Sequence, residues 1–174
     1  MTLTAAPTLV SARLTLGPAT LAHAKAFMAF VTTDAARFIG GPASRDDGWD
    51  SVCAHAGQWL LRGYGTFWVS ETATNAPVGR VGIFHPDRRA EAELSWVIYP
   101  AHEGKGYATE AARHARDWAY ATLGLAPLMS LIDTANTASA RVAEKLDATI
   151  EARHEPNGGK DILRWRHPGP KGRA

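Results

Sequence analysis

A single cysteine, Cys53, stands in 174 residues. One thiol cannot close an internal disulfide, and the scarcity fits a reducing compartment. Neither sign of charge is in excess. Nineteen lysines and arginines face 17 aspartates and glutamates, for a net charge of +2, so no broad nucleic-acid footprint is implied. No apolar run approaches the ~18 residues of a membrane span. Residues 1–7 lack the charged start and long apolar core of a signal peptide. The seven histidines show no H-x-x-x-H or comparable spacing, so no metal is expected. Internal repeats are missing, and residues 168–174 alone read as a low-complexity, disordered tail. The expectation is a cytoplasmic protein that binds neither nucleic acid nor membrane. What is present is a 45% hydrophobic chain, enough for one domain with a real core.

Periodicity and breaks divide residues 1–167. Residues 10–16 alternate as a first strand does, and Gly17-Pro18 ends it. Thr20 is placed to cap a helix through Phe30. Residues 39–50, rich in Gly, Pro, Asp and Ser, read as a loop, with Asp47 or Asp50 capping a second helix to about Leu61. Strands are expected at 66–70, 78–84 and 91–99, with turns at Asn75-Ala76-Pro77 and 86–89, an antiparallel meander. A helix at 107–123 and an apolar strand at 128–133 follow. A helical crossover between neighbouring strands implies a parallel pair. A short helix at 137–146 and strands at 149–154 and 161–166 complete an α+β domain with a mixed sheet.

The segment Glu103-Gly104-Lys105-Gly106-Tyr107-Ala108-Thr109 lies between a strand and a helix. Such a turn is an anion cradle, because backbone N–H groups converge and the helix dipole adds positive potential. The glycines let the backbone approach a diphosphate without Cβ clashes. The chain is therefore read as binding a pyrophosphate-bearing ligand. A Walker loop is excluded, since Gly106 follows Gly104-Lys105 where Ser or Thr is required. A dinucleotide fingerprint would need a glycine where Thr109 stands, and would lie near the first strand. A turn that merely joins two elements is the bland alternative.

Three segments carry a resemblance across nearly the whole chain. They are Ser11-Ala12-Arg13-Leu14-Thr15-Leu16, then Ala92-Glu93-Leu94-Ser95-Trp96-Val97-Ile98-Tyr99-Pro100 with its turn, then Asn136-Thr137-Ala138-Ser139-Ala140-Arg141-Val142-Ala143-Glu144-Lys145-Leu146. In order and spacing the sequence resembles the GNAT N-acetyltransferases, and among them the branch that acetylates N-terminal α-amines of ribosomal proteins. The resemblance implies a single-domain GNAT fold whose sheet splays between the strands before the turn and after the helix. It implies acetyl-CoA as cosubstrate, with pantetheine along the backbone of Trp96, Val97 and Ile98. The diphosphate would lie on Glu103, Gly104, Lys105, Gly106, Tyr107 and Ala108. It further implies direct attack in a ternary complex, Glu93 as general base through a water, Asn136 near the pantetheine arm, and Ser139 near the thiol as proton donor.

The residue types suit that chemistry. An amine must lose a proton, an oxyanion must be stabilised, and the leaving thiolate needs a proton. Strand alternation puts Glu91, Glu93 and Ser95 on one face and Leu94 and Trp96 on the other. Burial of that face would raise the Glu93 pKa toward useful values; Glu91 is the second candidate. Asn136 and Ser139 share a helical face, although a cap and a packing residue explain them equally well. Several slots depart from the family pattern. Glu103 replaces Gln or Arg, Ala143 stands where many members carry a tyrosine acid, Asp147-Ala148 replaces Gly-Phe, and Gly17 replaces an arginine.

Other residues rank lower. Cys53 reads as a small, partly buried residue with no base nearby, since His55 points elsewhere on a helix. Trp59, Trp68, Trp96 and Trp118 read as core, and Trp49 as a candidate for an acceptor pocket. Arg88 and Arg89 are a solvated turn or an attraction for a carboxylate. Arg141 is a solvated helix residue or a phosphate contact. The expected acceptor is a protein or peptide α-amine. The alternatives are a small amine such as a polyamine, amino acid or aminoglycoside, or an acyl-CoA-binding module without turnover. A homodimer is plausible through an exposed sheet edge.

Overall fold

The computed structural model describes residues 5–125, 127–154 and 161–170. Eight strands form one open sheet in the order β1-β2-β3-β4-β5-β6-β8-β7. They are β1 (Leu9–Val10), β2 (Leu14–Gly17), β3 (Thr66–Glu71), β4 (Pro77–Phe84), β5 (Glu93–Ile98), β6 (Met129–Asp133), β7 (Thr149–His154) and β8 (Ile162–Arg166). Every pairing is antiparallel except β5 with β6, across the α3 crossover. The helices are α1 (Leu21–Val31), α2 (Arg45–Arg62), α3 (Tyr107–Trp118) and α4 (Thr137–Lys145). The α+β class and the mixed, mostly antiparallel sheet agree with the sequence reading.

Local chemistry moves several boundaries. Residues 10–16 are two strands of a tight hairpin, because the Ser11 hydroxyl and the Arg13 amide both donate to Glu110, at 2.8 and 2.9 Å, and hold the turn between them. The expected loop at 39–50 is partly helical. A 3-10 turn spans Asp34–Ile39, and α2 begins at Arg45 with Ser44 as its N-cap. Asp47 is not a cap. It occupies the third helical position of a capping box, its backbone N–H donating to Ser44 Oγ while its carboxylate accepts from the Ser44 N–H. The β5 strand begins at Glu93, which leaves Glu91 outside it. Of the expected disordered tail, residues 168–170 carry no regular structure and 171–174 lie outside the described residues.

The sheet separates two cores. On one face α3 lays Tyr107, Ala111, Ala112 and Ala115 onto Leu14, Leu16, Phe67, Val81, Ile83 and Leu94. Alanines at that spacing let the helix backbone approach the strands closely. On the other face α1 and α2 pack Phe27, Phe30, Val31 and Val52 against Trp68, Val97 and Tyr99. Trp59 and Trp68 are buried, and Trp96 and Trp118 pack partly buried against the core. Cys53 is exposed rather than partly buried, and Trp49, 45% exposed, lies within α2 and lines none of the three cavities described below. In both cases the side chain sits on the outer stripe of α2, whose inner stripe is Gly48, Val52, His55 and Trp59.

One junction sets up the site. Between β5 and β6 the ladder holds a single register pair, Glu93 with Met129. Beyond it side chains stand in for the ladder. The Ser130 hydroxyl donates to Leu94 O at 2.5 Å, and the Leu131 amide points to a Glu93 carboxylate oxygen at 3.5 Å. The strands then part.

Candidate active site

Three cavities meet at this parting. A cleft of about 320 Å³ runs along β5 and the turn to α4, lined by Trp96, Ile98, Glu103, Gly104, Gly106, Tyr107, Ala108, Ser139 and Arg141. A gap of about 90 Å³ lies between β5 and β6, lined by Glu93, Ser95, Trp96, Leu131, Asn136 and Ser139. A wider cleft of about 800 Å³ opens on the α1–α2 side, lined by Phe27, Phe38, His55, Arg80, Arg88, Arg89, Glu93 and Ser95. Glu93 and Ser95 line both the gap and the wide cleft, and Trp96 and Ser139 line both the gap and the turn cleft.

The turn has the geometry its glycines allow. Gly104 and Gly106 take φ of 75° and 80°, a left-handed conformation that side chains disfavour. Gly106 is the N-cap of α3, and no side chain caps it. The first amides of the helix therefore stay free of side-chain caps, which fits an anionic diphosphate. Arg13 braces the turn from outside: Nη1 donates to Lys105 O at 2.9 Å, and the guanidinium pairs with Glu110 at 2.7 Å. Lys105 does not line the cleft; its ammonium lies 5.8 Å from the Tyr107 ring centroid. The Val97 side chain is buried on the opposite face, so only its backbone is available to this side. Arg141 and Lys145, by contrast, line the turn cleft and add cationic charge to its wall.

Asn136 is the N-cap of α4, its Oδ1 accepting from the Ser139 amide at 3.1 Å. The Ser139 hydroxyl accepts from Trp96 Nε1 at 3.3 Å, which leaves its own proton free to be donated. Ala143 is fully buried, so α4 offers no acid at that slot.

Glu93 is 8% exposed. Burial pushes its carboxyl above the ordinary value, against the pull of Arg89, the Leu131 amide and Arg80. Arg89 Nη1 lies 3.2 Å from its carboxylate. Glu91 is placed differently. Arg166 pairs with it at 2.7 Å and Arg164 at 3.3 Å, and the Arg166 hydrogen bond holds its carboxyl below the ordinary range. It lines none of the three cavities.

Sequence reasoning missed Arg80 and His55. Both are buried and both line the wide cleft. The Arg80 Nη1 lies against the His55 ring, 3.1 Å from Nδ1 and closer to Nε2. A guanidinium can only donate, so His55 accepts and is neutral there; burial, then Arg80, hold its pKa well below the ordinary value. The available signal was one arginine in the otherwise apolar strand Val78-Gly79-Arg80-Val81-Gly82-Ile83. Among the described residues no group of histidine, cysteine, aspartate and glutamate side chains is disposed to hold a metal ion, and no helix is long and apolar enough to cross a membrane.

A strand–glycine turn–helix cradle thus opens onto a parted sheet, with a buried glutamate lining the gap. Residues 13–149 match the acetyltransferase (GNAT) domain family, and the chain belongs to it. That membership gives the class of chemistry: acetyl transfer from acetyl-CoA to an amine. The solved acetyltransferase from Agrobacterium tumefaciens is 35% identical and superposes with a TM-score of 0.85 over 93% of this chain and 94% of that one. The Bacillus subtilis protein YkkB is 32% identical over 111 residues, 62% of this chain and 60% of that protein. The Escherichia coli spermidine N(1)-acetyltransferase is 37% identical over 71 residues, 41% of this chain and 37% of its own length. The matched stretches thus span less than two thirds of these two relatives. The ribosomal-protein α-N-acetyltransferase RimL shares the fold, with a TM-score of 0.75 at 19% identity over 94% of this chain and 98% of that one.

Proposed function

We propose that this protein acetylates the α-amine of a protein or peptide N-terminus by direct attack on acetyl-CoA in a ternary complex. One observation carries the reading: Glu93 and Ser139 both line the small gap, which Glu93 shares with the wide cleft and Ser139 with the turn cleft. An amine entering from the wide cleft meets the carboxylate first. Glu93, directly or through a water in the gap, takes the ammonium proton. The β5 backbone and the uncapped α3 N-terminus hold the cosubstrate on the other side. The Ser139 hydroxyl, fixed by Trp96 Nε1, gives a proton toward the leaving sulfur. Trp96, Ile98, Gly104, Gly106, Tyr107 and Ala108 would line the cosubstrate path, and Asn136 acts through its cap on Ser139.

A polyamine acceptor fits the wide cleft poorly, because Arg80, Arg88 and Arg89 would repel a polycation there. The test is incubation with acetyl-CoA and a panel of peptides and small amines, read by mass spectrometry. Peptides acetylated at the α-amine are the expected product. Acetylation confined to small amines overturns the acceptor assignment, and cofactor binding without any CoA release overturns the catalytic one.

A further inference from the structure

Arg80 lies on β4, on the sheet face that looks into the wide cleft, beside Trp68 and Val97 in the neighbouring strands. Only 7% of it is exposed. Its hydrogen bonds go from Nη1 to the His55 ring, and Phe27 covers its plane at 5.4 Å. Neither partner is an anion. The buried Nε has no hydrogen-bond partner, and the same is true of Arg89 Nε across the cleft. Arg88 stands exposed at the rim of this cleft. Against these three cations the cleft offers two carboxylates. Glu93 already pairs with Arg89, and Asp47 is engaged in the cap of α2. Glu93 is close enough to act on Arg80 through its charge but makes no ion pair or hydrogen bond with it; a buried guanidinium without a bonded counter-ion is costly. Inside the cleft the buried Arg80 Nε and Arg89 Nε are left without an acceptor.

Taking the proposed amine acetylation as its basis, we infer that the acceptor carries a carboxylate close to the reacting amine, and that Arg80 binds it. The amine end turns to Glu93 and the carboxylate to Arg80, with Arg88 and Arg89 drawing the anion in. Two sources share this chemistry: the side chain of an acidic first residue in a peptide, and the α-carboxylate of a free amino acid.

Isosteric pairs separate carboxylate from amide at constant shape. Asp-Ala-Ala amide is compared with Asn-Ala-Ala amide, and alanine with alaninamide, by kcat/KM for acetyl-CoA turnover. A charge-assisted contact to a buried guanidinium corresponds to a preference of about ten- to a hundredfold. Preference within the first pair assigns an acidic N-terminal residue, and within the second a free amino acid. Equal rates within both pairs overturn the inference while leaving acetyl transfer standing. Arg80→Gln should collapse the preferred ratio at least tenfold, and Arg80→Lys should restore part of it. A ratio unchanged in Arg80→Gln assigns the arginine a structural role and refutes the proposal. If neither pair is turned over, titration with N-acetyl-Asp-Ala-Ala amide and its asparagine counterpart still decides: tighter binding of the acid supports the inference and equal binding ends it.

Discussion

Replacing Glu93 by glutamine keeps the shape of the gap and removes only its base. The carboxylate is 8% exposed and is raised in pKa by burial, and it borders a gap of about 90 Å³, room for a few waters. Few waters can therefore stand in for the carboxylate inside the gap. General-base catalysis of this kind contributes about 10²- to 10⁴-fold, or about 3–5 kcal/mol of barrier. The enclosure of Glu93 argues for a loss of about 10³ in kcat. The pH profile carries a second signature. Wild-type kcat/KM should rise through two ionisations, the Glu93 carboxyl above the ordinary carboxylate range and the acceptor amine near ~8. Glu93→Gln should keep only the amine limb. Stability moves in step. The raised folded pKa means the native state holds this proton more tightly than the unfolded chain. Its contribution is present at low pH and fades as pH rises through the folded value. The melting temperature of the variant should therefore gain on wild type as pH rises. Steady-state kinetics and thermal melts on the same samples, from below the ordinary carboxylate pKa of ~4.3 up to about pH 9, test both. A variant within threefold of wild-type turnover across that range refutes Glu93 as the base.

Other substitutions probe the remaining parts. Ser139→Ala removes a weak acid and the Trp96 partner, so kcat should fall about three- to tenfold with little change in KM for the acceptor; a loss near 10³ would mean that Ser139 carries more of the reaction than a positioned hydroxyl can. Gly106→Ala forces a side chain into φ of 80°, where the nearest atom to the new Cβ, Arg13 Nη2, is at an uncrowded 3.5 Å. The cost is backbone strain of about 1–2 kcal/mol, seen as a lower melting temperature and weaker acetyl-CoA binding by calorimetry. Leu94→Ala, in the fully buried core between β5 and α3, should cost about 2–5 kcal/mol in denaturant unfolding.

The fold was legible where the chain alternates or breaks sharply. The meander, the α3 crossover and the parallel β5–β6 pair follow from runs of Val, Ile and aromatic residues between glycine and proline turns. Errors fell where a distant side chain decided a local shape. The β1–β2 hairpin is held by Glu110, nearly a hundred residues away, and nothing in residues 10–16 announces it. The α2 start was misread because Ser44 and Asp47 cap reciprocally, and the acid was the more conspicuous of the two. At the site, the turn was visible as a local pattern, and Glu93 was singled out through the family resemblance. Arg80 was not, since its meaning depends on Phe27, His55 and Arg89, which three other segments bring to it. Lys105, legible as a cation in a phosphate turn, lies over the Tyr107 ring, outside the cleft lining.

The single register pair between β5 and β6 makes the sheet a book with two covers, five strands in one and three in the other, stitched at Glu93. Below the stitch the facing pages are no longer paired with each other, and the gap between them is the proposed place for the cosubstrate's amide-bearing arm. The same residue that fastens the spine is the one proposed to take the proton of the incoming amine. Any change that tightens the binding at Glu93 to strengthen the fold would also close the page on which the reaction is written.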